Sequence, residues 1–155
     1  MVHFNVRVSI YPTEDEELVM AAVSHVLLLE GTSIEGDEKG VRVLKGWGGT
    51  EGLRVLHAHL RKQKILDSAR SVLTSNCGSG TLTFSLHKQA ATTGKVSFAV
   101  ENELYDSIDV LVVCKNPGHI VDWLAPPTEN GTPLFELDEP EDDCPTDYAP
   151  RERSI

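Results

Sequence analysis

Four glycines crowd one short stretch (Gly46, Gly48, Gly49 and Gly52), between a strand-like run and a helix-like one, with Trp47 among them. Glycine-rich loops in that setting cradle phosphates with backbone N–H groups. The spacing here is not G-x-G-x-x-G, no alternating βαβ pattern surrounds it, and no Gly-Lys-Ser/Thr is present. The stretch is therefore expected to be a flexible turn that uses glycine's access to φ > 0. The alternative is a backbone that approaches a phosphate. Trp47 either packs at the core or its rim, or stacks on an unpaired base.

Other chemically capable groups are excluded by spacing. His57 and His59 diverge by about 200° on a helix and cannot easily share a metal, and no thiol or carboxylate stands at ligand spacing. Glu14 to Glu17 follow Thr13 and precede an apolar run, so they read as helix-start chemistry, with Thr13-x-x-Glu16 as a capping box and the carboxylates on the positive end of the dipole. No Gly-x-Ser-x-Gly elbow is present. Cys77, Cys114 and Cys144 are odd in number and widely spaced, which builds neither a disulfide framework nor a zinc knuckle; Cys114 ends an apolar run as a small core residue. No catalytic residue, metal or cofactor is expected.

Charge distribution is more informative. The net charge is −10. From Lys39 to Lys95, however, ten basic residues stand against two acids, so this span carries +8 and the remainder −18. A chain polarised in this way can present a basic face despite its acidic average. Arg54, His57 and Arg61 fall at i, i+3 and i+7 on one helical stripe; Lys62 and Lys64 follow, then Arg70, and Lys88 and Lys95 flank a later loop. Such residues neutralise phosphates. The bland alternative is a solvated charged face without interleaved aromatics.

These residues need a scaffold. A chain of 155 residues with 40% hydrophobic content makes about one domain with a genuine core. Phe4, Val6, Val8 and Ile10 alternate with His3, Asn5, Arg7 and Ser9, as in a strand with one buried face. Pro12 ends it, and a helix runs to about Leu28. A polar stretch, 30–40, leads to a short strand over 41–45. Leu53, Leu56 and Leu60 then form one helical stripe. Ile65, Ala69, Val72 and Leu73 form a second, half a turn away, so a break near 62–64 and two consecutive helices are expected. Strands follow over Thr81–His87, at Val96, Phe98 and Val100, and over 108–113, the last as a central strand. Asn116-Pro117 opens a final helix to about Leu124. The expected class is α+β, a mostly antiparallel sheet with helices packed on one side, in the order β-α-β-α-α-β-β-β-α. Residues 1–127 would be the domain and 128–155 an acidic, Pro-containing, disordered tail. No stretch approaches the roughly 18 apolar residues of a membrane helix. Met1-Val2-His3-Phe4 shows no leader pattern, which sets a cytoplasmic expectation.

Several segments resemble a known family. They are Thr13-Glu14-Asp15-Glu16-Glu17, Ile65-Leu66-Asp67-Ser68-Ala69-Arg70, Leu86-His87-Lys88-Gln89-Ala90-Ala91 with Val96-Ser97-Phe98-Ala99-Val100, and Ala125-Pro126-Pro127-Thr128. Together they resemble an archaeal family of small proteins held to bind RNA and proposed as exosome subunits. The likeness covers residues 1 to about 130. It implies a ribosomal-protein-like fold and an RNA-related role, and brings no catalytic motif. Thr92-Thr93-Gly94 replaces the bulky residue usual after Lys-Gln-Ala-Ala.

The reading from sequence is therefore a non-catalytic RNA-binding protein, with phosphate contacts from Arg54, Arg61, Lys62, Lys64, Arg70, Lys88 and Lys95. Gln89 would meet a base edge, with a purely structural role for Lys88 and Gln89 equally open. RNA, structured or single-stranded, is the expected partner, with RNA-processing proteins beside it. The acidic segment from residue 136 onward could compete for the same face. The rival reading is a protein-interaction module, such as a homodimeric adaptor, marked by an exposed apolar patch near Ile120, Trp123 and Leu124.

Overall fold

In the computed structural model, which describes residues 2–36, 39–99 and 107–137, the alternating N-terminal segment is the centre of the fold. β1 (His3–Ile10) turns Phe4, Val6, Val8 and Ile10 into the core. It is followed by α1 (Glu16–Val26), β2 (Gly31–Glu35), β3 (Arg42–Gly49), α2 (Thr50–Lys62), α3 (Leu66–Ser75), β4 (Thr81–His87), α4 (Lys88–Thr92), β5 (Ser107–Val113), α5 (Pro117–Leu124) and a small hairpin, β6 (Thr128–Glu129) with β7 (Thr132–Pro133). The five main strands form one antiparallel sheet in the order β2-β3-β1-β5-β4. In register, Val6 stands between Gly46 and Val110, and Val8 between Leu44 and Ile108. Leu82, Phe84 and Leu86 continue the same face. One core joins that face to Val19, Val23 and Val26 of α1, Leu53, Leu56 and Leu60 of α2, Leu73 of α3 and Ile120 of α5. The class is α+β with helices on one side of the sheet.

Four expectations change. The polar stretch contains β2, an edge strand with its side chains mostly in water. Residues 96–99 do not form a full strand. They extend the edge beyond β4 through a single Leu86–Phe98 bridge, with His87 N donating to Ser97 O and Ala99 N to Ser85 O; Val100 lies outside the described residues. The Lys-Gln-Ala-Ala segment is the short helix α4, held to α1 where His25 Nδ1 lies 2.8 Å from the Ala91 carbonyl. β5 is one strand in from the edge rather than central: on its outer side Asp109 accepts hydrogen bonds from Ser85 Oγ at 2.7 Å and Ser107 Oγ at 2.8 Å.

The helix start is also differently made. The cap is Asp15, whose carboxylate accepts from Glu17 N at 2.9 Å, two residues later than the Thr13 box would have it. Glu14 and Glu16 face elsewhere: Glu16 pairs with Arg42 at the start of β3, and Glu14 accepts from Tyr11 N and from Lys88.

The glycines do not form a flexible turn. Gly46, Gly48 and Gly49 lie within β3 and Gly52 in the first turn of α2, and none has a positive φ. Gly46, Gly48 and Gly52 are small because neighbours press on them. A Cβ on Gly46 would stand 2.8 Å from Leu29 Cδ1, and one on Gly48 2.7 Å from the Phe4 ring. Trp47 is half-buried on the opposite face of the sheet, its indole crossing Gly31 of β2.

Residues 128–137, expected to begin a disordered tail, are part of the fold. The β6–β7 hairpin is anchored where Leu134 N donates to Pro127 O, and Leu137 packs against the core. The remainder of that tail, 138–155, lies outside the described residues. No helix among the described residues is long and apolar enough to cross a membrane.

Candidate nucleic-acid interface

The eight residues singled out for RNA divide sharply once their surroundings are known. Lys88 is 2% exposed. Its ammonium donates to Ser9 O at 2.8 Å and to Glu14 Oε1 and Oε2 at 3.0 and 3.2 Å, and it lies 5.2 Å from the centre of the Tyr11 ring. A group so enclosed cannot reach a phosphate without unfolding α4. The expectation that Lys88 contacts RNA gives way to a structural role: it ties α4 to the end of β1.

Arg61 and Arg70 are likewise engaged. Arg61 donates to the Leu124 and Trp123 carbonyls at 2.9 and 3.2 Å, to His57 O at 3.1 Å, and to Glu136. Arg70 donates to Asp122 at 2.8 Å and to Ala125 O at 3.1 Å. Both guanidinium groups satisfy carbonyls at the end of α5, where the helix leaves them without internal partners. His57 stacks on Trp123, ring centroids 4.9 Å apart. The stripe read as a phosphate surface therefore seats α5.

Lys62, Lys64 and Lys95 behave otherwise. All three are exposed, and among the described residues none makes an ion pair or a side-chain hydrogen bond. They come from two segments brought together by Gln63. Its Nε2 donates to Val96 O at 2.9 Å, and its Oε1 accepts from Val96 N at 2.8 Å. The amide thus pairs with Val96 as a neighbouring strand would, setting Lys95 beside Lys62 and Lys64. Arg54 and Gln89 are exposed on α2 and α4, outside this junction.

Two identical helix endings frame the cluster. α2 closes with Ile65 N donating to Leu60 O and Lys64 N to Arg61 O; α4 closes with Lys95 N donating to Ala90 O and Gly94 N to Ala91 O. This is the turn that requires one left-handed residue. In α4 that residue is Gly94, φ 78°; in α2 it is Lys64, φ 58°. A non-glycine residue in that region costs on the order of 1 kcal/mol. Lys64→Gly is therefore expected to raise the unfolding free energy by about 0.5–1 kcal/mol while weakening RNA binding. Urea unfolding reads the first effect; no gain in stability would mean that the lysine carries no backbone strain.

This junction can accept anions: three exposed ammonium groups on a rigid frame, without counter-ions among the described residues. No group of three or more His, Cys, Asp or Glu placed to hold a metal ion occurs among the described residues. The apolar patch that would mark a protein-docking surface is also differently disposed. Ile120, Trp123 and Leu124 are all buried, beneath the contacts just described.

Comparison with known proteins finds a matching family model and several relatives. A family model described as RNA binding matches residues 3–113. A UPF0201 protein of Sulfurisphaera tokodaii is 35% identical over 148 residues, covering 92% of this chain and all of that one. One from Aeropyrum pernix is 36% identical over 145 residues, covering 90% and 95%. The crystal structure of the UPF0201 protein from Methanococcus jannaschii superposes with a TM-score of 0.77 at 25% identity, over 86% of this chain and 99% of that one. A DUF54 protein from Methanothermobacter thermautotrophicus shares the fold, with a TM-score of 0.51 at 20% identity over 77% and 92%.

Proposed function

The chain belongs to this RNA-binding family, whose relatives are archaeal, and from that premise we propose that it is a non-catalytic, cytoplasmic RNA-binding protein whose main phosphate contacts are Lys62, Lys64 and Lys95. The observation that carries the reading is the Gln63–Val96 pairing, which gathers from two segments three exposed lysines that have no partner among the described residues. Arg54 and Gln89 extend the contact along α2 and α4. Arg61 and Arg70 contribute positive potential from fixed positions, and Lys88 contributes only structure. Because A-form RNA hides its major groove from side chains, discrimination comes from shape and from unpaired bases. Association with an RNA-processing assembly belongs to the same proposal, as the setting in which a small binding domain without its own chemistry is used.

The test is binding of a labelled single-stranded RNA and a labelled hairpin across a salt series. Wild type is compared with Lys62→Gln/Lys64→Gln/Lys95→Gln. With three phosphate contacts removed, the slope of log affinity against log salt should become shallower by about 2, since each contact on a single strand contributes roughly 0.7. Affinity at low salt should fall on the order of 10- to 100-fold. If the variant binds as wild type does, the junction is not the interface. If wild type binds neither RNA at low salt, the RNA reading itself fails.

A further inference from the structure

We propose that the cleft between α3 and the start of the β6–β7 hairpin takes one ribose-phosphate unit of an RNA strand. Asp67 accepts from the ribose 2′-hydroxyl, and Arg70 donates to the adjoining phosphate. This rests on the RNA-binding reading above and adds to it the contact that separates RNA from DNA.

The two charges are placed by the helix. Asp67 and Arg70 stand at i and i+3 on α3, one turn apart, where a carboxylate and a guanidinium ordinarily pair with each other. Here each is held by a different element instead. Thr128, at the start of the hairpin, donates its hydroxyl to Asp67 Oδ1. Arg70 Nη1 donates to Asp122 of α5 at 2.8 Å and to Ala125 O at 3.1 Å. Those contacts occupy one oxygen of the carboxylate and one nitrogen of the guanidinium. Asp67 Oδ2, with Arg70 Nε and Nη2, makes no hydrogen bond among the described residues. Both side chains are thus fixed while half of their hydrogen-bonding capacity stays open.

Both line an open cleft of about 540 Å³, within the range of roughly 300–1,000 Å³ that small-ligand sites occupy. Ser71 and Thr74 continue the lining at i+4 and i+7 from Asp67, and their exposed hydroxyls make no hydrogen bond among the described residues. Pro127 adds an apolar wall.

The mixture of signs selects the ligand. A bare anion would meet Arg70 but be repelled by Asp67. A ligand that carries an anionic oxygen and a hydroxyl donor satisfies both. The phosphate of an RNA unit accepts from the guanidinium, and its 2′-hydroxyl donates to the carboxylate. A DNA strand brings the phosphate without that donor. The place also fits. Lys64 precedes Asp67 by three residues, so their Cα atoms are no more than about 11 Å apart. The cleft therefore continues the lysine junction along α3.

The experiment uses the full-length chain and two labelled probes of equal length, an oligouridylate and an oligodeoxyuridylate, which differ only at the 2′ position. Wild type should bind the ribo strand about tenfold more tightly, the low end for a hydrogen bond to a charged group, because the cleft is open to water. Asp67→Ala should bring the ratio of the two affinities close to one. Thr128→Val removes the hydrogen bond to Oδ1 but leaves the carboxylate, and should keep the preference. Lys62→Gln/Lys64→Gln/Lys95→Gln should weaken both strands and leave the ratio unchanged.

Equal binding of the two strands by wild type would overturn the proposal and leave the RNA reading standing, as would an Asp67→Ala chain that keeps the preference. If Thr128→Val loses the preference as fully as Asp67→Ala does, the carboxylate only anchors the hairpin, which also overturns the proposal. Uridine monophosphate binding as tightly as the oligouridylate would make the cleft a mononucleotide site and overturn the strand contact. Failure of wild type to bind either strand at low salt would overturn the RNA reading and this proposal with it.

Discussion

Replacing Lys88 by methionine should lower the unfolding free energy by about 3 kcal/mol and leave the affinity for RNA unchanged. Removing one partner of a buried ion pair costs about 3–5 kcal/mol, because the other charge is left without its counter-ion. The lower end applies here, since the Glu14 side chain is 25% exposed and water can reach it. The Ser9 carbonyl also loses its donor. Adding Glu14→Gln to Lys88→Met should recover part of the loss, and the double-mutant cycle measures the coupling. The opposite pattern, a change in stability below about 0.5 kcal/mol together with weaker RNA binding, is the signature of an exposed phosphate contact. That result would return Lys88 to the interface.

Gly52→Ala is the second large effect, and its sign runs against helix propensity. Alanine in an exposed helix interior is favoured over glycine by about 1 kcal/mol. Here the added methyl would lie 2.2 Å from Leu28 O and 2.6 Å from the Phe4 ring. Neither is the end of a flexible side chain. Leu28 also donates its N–H to Gly52 O, so a shift of α2 away from the clash strains that link as well. Overpacking of this kind costs 1–3 kcal/mol or more, and the contact with backbone places it at the upper end. The net expectation is a loss of about 2 kcal/mol in denaturant unfolding. A stabilised variant would show that the α1–β2 connection yields easily.

These two residues also show where the sequence was legible and where it was not. The alternation of β1 and the half-turn offset between the stripes of α2 and α3 are local patterns, and the structure follows them, down to a break marked by Lys64 in the left-handed region. Glycine spacing in β3 was equally visible, but its cause was not. Only the pairing of β1 with β3 and the return of residues 28 and 29 bring Phe4 and two leucines against those positions. β2 escaped because an edge strand with polar outward residues lacks the apolar alternation that reveals strands. α4 escaped because five residues do not complete two turns.

The candidate site shows the same limit in electrostatic form. A lysine's type states what it can do, but not where its partner is. Lys88 meets Glu14 across 74 positions, and Arg61 meets Leu124 O across 63. Lys62, Lys64 and Lys95 have the same sequence credentials, yet remain in water. What separates the two sets is long-range geometry. The one local hint was Gln63, a side chain able to pair with a backbone in both directions.

The strand order has a consequence for synthesis. β1 is made first but lies at the centre of the sheet, with β3 on one side and β5 on the other. β3 becomes available at Gly49, whereas β5 begins only at Ser107. At about 5–20 residues per second, roughly 3–12 seconds of translation separate the two. During that interval a nascent β2-β3-β1 sheet would present the far edge of β1 unpaired, with one apolar face uncovered by α5. An open hydrophobic edge of that kind recruits other chains. The central place of the first strand thus makes the emergence of the hundred-and-tenth residue, rather than the first, the event that protects the chain from aggregation on the ribosome.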